Sequence, residues 1–146
     1  MHGAAALTVF DCDDHAQKHA EHLAANWLKD HSETNYGENI YHKSIVTKDP
    51  KMASYTNGAA SKAWYKESIF YDYESTAEEP KNLKSVGQFT QMVWKGTEAV
   101  CFGMARSERM SALFPTLTEV MFVVVANYSP KGNVNGEYQQ NVGHPA

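Results

Sequence analysis

The chain has 146 residues, 42% of them hydrophobic, and a formal net charge of −4. That is enough apolar side chain to bury the core of one globular domain and too much for a disordered chain. No run of about 18 apolar residues occurs, so no membrane-spanning helix is expected, and Lys and Arg are scattered singly, without the basic stripe that tracks nucleic-acid phosphates.

The opening MHGAAALTVFDCDD lacks the basic start and long apolar core of a secretory signal. Its LTVF reads as a short extended piece, and Asp11, Asp13 and Asp14 stand where they would cap a following helix. From His15 to about Lys29, Ala16, Ala20, Leu23, Ala24 and Trp27 recur at helical spacing. His15, His19 and His22 fall at the i, i+4 and i+3 separations of a metal pair, but a solvated helix face is the preferred reading because nothing requires a Cys or carboxylate beside them. Residues 30–41, DHSETNYGENIY, are polar and turn-rich, leaving His31 on a loop and Glu38 on the approach to a short strand. Residues 42–58 read as irregular around Pro50, with Thr56 or Asn57 as the next helix cap.

Residues 59–73 read as one helix with an apolar stripe of Ala60, Ala63, Trp64, Phe70 and Tyr71. Glu67 lies inside that stripe, so helical geometry aims its carboxylate inward, where it needs donors, a histidine or a metal. Residues 74–85 form a charged linker. In GQFTQMVWKGT, residues 87–97, Phe89, Met92 and Val93 fall at i, i+3 and i+4, predicting a helical turn ended by Gly96, with Gln88, Gln91 and Lys95 on a separate polar face. Residues 98–106 alternate large and small like a strand between two layers, and residues 107–118 form a long hairpin-like connection. Val120 to Tyr128 is nearly continuous apolar sequence, as expected of a central strand covered on both faces, and the tail from Ser129 reads as coil. Together these elements describe one α+β domain over residues 1–146, with helices on both sides of a sheet.

Two of these stretches carry a family likeness. GQFTQMVWKGT resembles the first signature of the CAP superfamily (cysteine-rich secretory proteins, antigen 5 and plant pathogenesis-related proteins), and FVVVANYSPKGN, residues 122–133, resembles the second. The likeness implies the CAP α-β-α sandwich with a central antiparallel sheet. It also implies a cleft tetrad of His31, Glu38, Glu67 and Gln88, the last standing where the family has a second histidine. In several members two histidines bind a metal such as zinc; with one imidazole left, only weak divalent-metal binding at His31 is expected, an amide being a poor zinc ligand.

Further expectations follow from the likeness. The family's first helix, carrying a His-Asn pair, precedes a His-Gly such as His2 and Gly3; this sequence has no such helix, which suggests self-association as a homodimer through the surface around Leu7, Val9 and Phe10. Only Cys12 and Cys101 are present, and Ala126 stands where the second signature usually has Cys, so free thiols and a reducing compartment are expected. This places the likeness nearest the cysteine-poor, Golgi-associated branch, with a cytoplasmic or Golgi-membrane location; a trimmed N-terminus would reopen secretion. The expected function is non-enzymatic binding of a lipid- or sterol-like ligand, a membrane surface or a protein partner at the cleft and its flanks. The alternative is a metal-dependent or Ser-type hydrolase using His31, the cleft glutamates and a hydroxyl such as Ser32.

Overall fold

The structure, a computed structural model, describes residues 2–146. Its elements in chain order are β1 (Thr8–Val9), α1 (His15–Asn26), β2 (Gly37–Thr47), α2 (Ala59–Lys66), α3 (Leu83–Met92), β3 (Ala99–Met110), β4 (Thr118–Ser129) and α4 (Tyr138–Asn141). Short 3-10 turns follow β2 (Pro50–Met52) and α2 (Glu67–Phe70). The four strands make one sheet in the order β1-β3-β4-β2. β4 pairs antiparallel with both β2 and β3, whereas β1 joins the far edge parallel to β3 over two residues. The sheet is therefore mixed, not purely antiparallel, because the chain reaches β3 from the start of the domain rather than through a hairpin.

β4 is the centre of the molecule, with Val120 to Tyr128 all buried. Its Met121, Val123 and Val125 meet Ala16, Ala20, Leu23 and Ala24 of α1 on one face. On the other face Val124, Ala126 and Tyr128 meet Ala60 and Trp64 of α2. Small residues along α1 let the helix lie close to the sheet. Gly103 of β3 is essential to that approach, since a Cβ there would overlap main-chain atoms of Ala16 and Gln17. A third cluster, Phe89, Val93 and Trp94 with Tyr138 and Val142, fixes α3 to the end of the chain.

Several sequence expectations are corrected. Cys12 and Cys101 are bonded to each other, with Cα atoms 6.3 Å apart. The loop before α1 brings them together although they are 89 positions apart, a proximity that cysteine counting does not see. The expectation of a reducing compartment loses its premise. Residues 42–47 continue β2 as an edge strand whose outer side chains are polar, which hid its alternation. The helix read over residues 59–73 stops at Lys66 and tightens into the 3-10 turn; the change of period leaves Phe70 60% exposed, outside the apolar stripe. Gly58 in the left-handed region precedes α2, rather than a Thr56 or Asn57 side-chain cap. No aspartate side chain caps α1: Asp13 and Asp14 have positive φ, and Asp11 instead accepts from the Asp13 N–H at 2.8 Å. α3 begins within the expected linker, the β3–β4 connection shortens to residues 111–117, and α4 interrupts the expected coil tail because Tyr138 has an apolar cluster to enter.

Candidate functional site

The site lies where the start of β2, the loop before it and α3 converge. Glu38 pairs directly across from Asn127 of β4, so the Asn127 amide reaches its Oε2 at 3.0 Å. The preceding loop folds back over the same carboxylate. The Ser32 N–H donates to Oε1 at 2.8 Å, the Ser32 hydroxyl donates to Oε2, and His31 Nδ1 lies 3.0 Å from Oε1. His19 of α1 stands behind, with Nε2 3.9 Å from Oε1 and 2.8 Å from the Asp30 carbonyl.

The Glu38 side chain is only 4% exposed. Burial pushes its pKa up, but the His31, Ser32 and Asn127 donors together outweigh burial and hold the carboxyl at about 2. His31 responds in the opposite sense: its hydrogen bond to Glu38 raises its pKa, partial burial opposes that, and the Glu38 and Asp30 charges add to the rise. Its side chain is 66% exposed, so the imidazole faces solvent over a fixed carboxylate.

Glu67 and Gln88 form a second, separate cluster. Glu67 sits at the end of α2, where the 3-10 turn directs its carboxylate to α3. It accepts from the N–H groups of Gln88 and Phe89, both at 3.0 Å, and from Gln88 Nε2 at 3.2 Å. The other end of the Gln88 amide accepts from the Ile40 N–H at 3.2 Å. Gln88 is thus a clasp between α3, β2 and Glu67. Between the two clusters runs a cleft of about 450 Å³, lined by His31, Glu38 and Gln88 together with Lys29, His42 and Lys84. Burial, with Lys29 beside it, lowers the pKa of His42.

The four tetrad positions therefore fall into two hydrogen-bonded pairs, His31 with Glu38 and Glu67 with Gln88. Glu67 lies under the cleft rather than in its lining. The residues do not fit a zinc ion. Both ends of the Gln88 amide are engaged, and no group of three or more His, Cys, Asp or Glu side chains among the described residues is placed to hold a metal. The same applies to the α1 histidines: His15 Nε2 lies 3.0 Å from Ser32, His19 faces the Asp30 carbonyl, and His22 stacks on His19. A serine nucleophile is disfavoured by the same bonds. The single Ser32 hydroxyl proton goes to the ionised Glu38, so His15 Nε2 is the donor to Ser32 and not a base waiting for its proton.

Four residues that frame the site are not apparent as site residues from the sequence. Asn39, 1% exposed, donates to the Gln88 carbonyl at 2.9 Å and to the Tyr128 hydroxyl at 3.2 Å. Burial raises the Tyr128 pKa, so the phenol stays neutral. Gln91, expected on a polar face, is buried and bonds Thr97 and the Gly132 N–H at 3.1 and 2.8 Å. Asn133 joins Thr90 and the Gly87 carbonyl, and Asn127 is the cross-strand partner of Glu38. The repeated Asn residues of GEN and AN–N were the available signal, since a buried amide must be hydrogen-bonded.

An α-β-α sandwich with a His-Glu and Glu-Gln cleft between helix α3 and the sheet defines a CAP-type domain. The chain belongs to the CAP family, described as the cysteine-rich secretory protein family, whose model matches residues 1–128. It is 33% identical over 150 residues to a probable pathogenesis-related protein of Arthroderma benhamiae, covering 99% of this chain and 44% of that one. It is 30% identical to the human Golgi-associated plant pathogenesis-related protein 1, covering 87% of this chain and 72% of that protein. It is 31% identical to pathogenesis-related protein 1A of Nicotiana tabacum, over 84% and 62% of the two chains. The chain thus spans less than half of the fungal relative and under two thirds of the plant one. Among solved structures, BmVAL-1 matches with a TM-score of 0.58 at 22% identity over 95% of this chain and 66% of that one, a likeness of fold.

Proposed function

We propose that this CAP domain is a non-enzymatic binding module for a lipid- or sterol-like apolar ligand, held on the flank of the cleft scaffold. The observation that carries the reading is a groove of about 350 Å³ between α2 and β3, walled by Tyr55, Ala60, Phe102, Met104 and Val124. Phe102 and Met104 are 54% and 48% exposed there, side by side with the apolar wall of the groove. Side chains of that size left in water favour a ligand that covers them, and the volume suits a ring system or a stretch of acyl chain. The hydrogen-bonded cleft supports the non-catalytic half of the reading. Glu38 is saturated with donors, the Gln88 amide has no ionisable proton to serve as acid or base, and Ser32 is already bonded to Glu38. The Cys12–Cys101 bridge favours an oxidising secretory compartment, Golgi lumen or exterior, over the cytoplasm.

The test is titration with cis-parinaric acid and with dehydroergosterol, read by fluorescence. Saturable binding that Phe102→Asp weakens about tenfold or more, with circular dichroism unchanged, is expected. Failure of both probes to bind, or ester hydrolysis that depends on added zinc and on His31, would overturn the reading.

A further inference from the structure

β3 is an edge strand for most of its length. β1 covers only Ala99 and Val100, where the Phe10 N–H reaches the Val100 carbonyl at 3.2 Å. That bond fixes the parity: even-numbered residues of β3 turn their N–H and C=O away from β4. Past Val100 the outward edge is closed at one point. The Gln17 side chain of α1 accepts from the Met104 N–H at 3.0 Å and donates to the Met104 carbonyl at 2.9 Å. Among the described residues no hydrogen bond reaches the outward main-chain groups of Arg106 or Glu108. Bare edge groups of this kind are a template for another strand.

The side chains specify which strand. Met104, Arg106, Glu108 and Met110 alternate along one face of β3, in the order apolar, basic, acidic, apolar. Turned antiparallel about Ser107, this order is its own complement. Arg106 faces Glu108 of a second copy, Glu108 faces its Arg106, and Met110, 71% exposed, comes opposite its Met104. The parity agrees, because even residues then meet even residues and each Arg106–Glu108 pair exchanges two main-chain hydrogen bonds. Ser107, whose hydroxyl is buried without a hydrogen-bond partner in the single chain, falls on the two-fold axis. Within one chain Arg106 bonds Glu108 and the Pro50 carbonyl, both at 2.6 Å, and lies over the Phe122 ring, so it exchanges these contacts for the partner's Glu108 when the edges pair. We infer that β3 is a homodimerisation edge, two copies pairing antiparallel about an axis at Ser107 to make one continuous sheet. Gln17 stops the ladder at Met104, which keeps the contact short and the dimer weak, on the order of 100 µM.

Sedimentation of the full chain from about 10 µM to about 1 mM tests this. Wild type should show reversible dimerisation. Arg106→Glu and Glu108→Arg, each alone, put like charges opposite each other twice and should weaken it roughly ten- to thirty-fold. An equimolar mixture of the two variants should form a heterodimer at least as tight as wild type, a result that a merely misfolded variant cannot give. Gln17→Ala, which frees the Met104 edge, should tighten association. A wild type strictly monomeric at the top concentration, charge variants that dimerise normally, or a mixture that stays monomeric would each overturn the assignment. Association lost in Val9→Lys and retained in both charge variants would place the contact instead around Leu7, Val9 and Phe10, where Val9 is 82% exposed while Leu7 and Phe10 are partly covered.

Discussion

Gln88 is fastened to Glu67 twice, through its side-chain Nε2 at 3.2 Å and its main-chain N–H at 3.0 Å. The amide at the family's second histidine position is therefore an architectural part. Gln88→Ala should leave the Ile40 N–H and a Glu67 oxygen short of a partner and lower stability by about 1–3 kcal/mol in urea denaturation. In calorimetry, Gln88→His should tighten zinc binding about tenfold or more over wild type, an effect that adding His31→Ala should erase. Tight zinc binding by the wild type would refute this account of the cleft.

The Cys12–Cys101 bond closes a long loop between the entrance of α1 and the start of β3. Restricting the unfolded chain over such a span stabilises the fold by about 3–5 kcal/mol, so dithiothreitol or Cys101→Ser should lower Tm by roughly 10 °C. Mass spectrometry of the unreduced protein should find the bridge in most molecules; two free thiols there would contradict the structure.

Glu38 predicts an acid limb in the stability curve. Its folded pKa of about 2 lies below the ordinary 4.5, so its contribution is complete above about pH 4.5 and is lost as pH falls through 2. After allowance for solvent screening, that contribution is about 2–3 kcal/mol. His31 acts in the other direction: its raised pKa adds stability below 6.5 that fades as pH rises through its folded value, a small effect for so exposed a ring. Urea midpoints between pH 2.5 and 7 should show the acid limb in wild type and a flattened one in Glu38→Gln. An unchanged limb would assign it to other carboxylates.

Gly103 sets how closely α1 meets the sheet. Gly103→Ala drives a methyl into the main chain of Ala16 and Gln17, which no side-chain rotation relieves, and should cost about 1–3 kcal/mol. Gly136→Ala meets open space, although its φ of 80° carries its own strain. A thermal melt in which Gly103→Ala is neutral would mean that α1 can lift from the sheet without loss.

The sequence made the three layers legible wherever a side-chain period was strong and local, as in α1 and β4. It failed where tertiary packing overrode the local pattern. The outer half of β2 is polar at its edge, the turn at Glu67 shifts from one helical period to a tighter one, and Gln91 looks like a surface residue until Gly132 is folded against it. Of the site, the tetrad positions were readable from motif order. Their division into two hydrogen-bonded pairs was not, because Asn127 and Ser32 reach Glu38 from elements 89 and 6 residues away.

His2 is buried between Tyr65, Tyr73 and Phe89, and its Nδ1 lies 2.7 Å from the carbonyl of Gly143. The first and last described stretches are thus stitched at one corner, and the fold is topologically close to a ring. A permuted chain, with a short flexible linker across that seam and new ends opened between Ala112 and Thr116 in the exposed β3–β4 connection, should fold to the same sandwich. By the same geometry, any flanking polypeptide on either side would leave the domain from a single point, and a tether there would hold the whole body by one hinge.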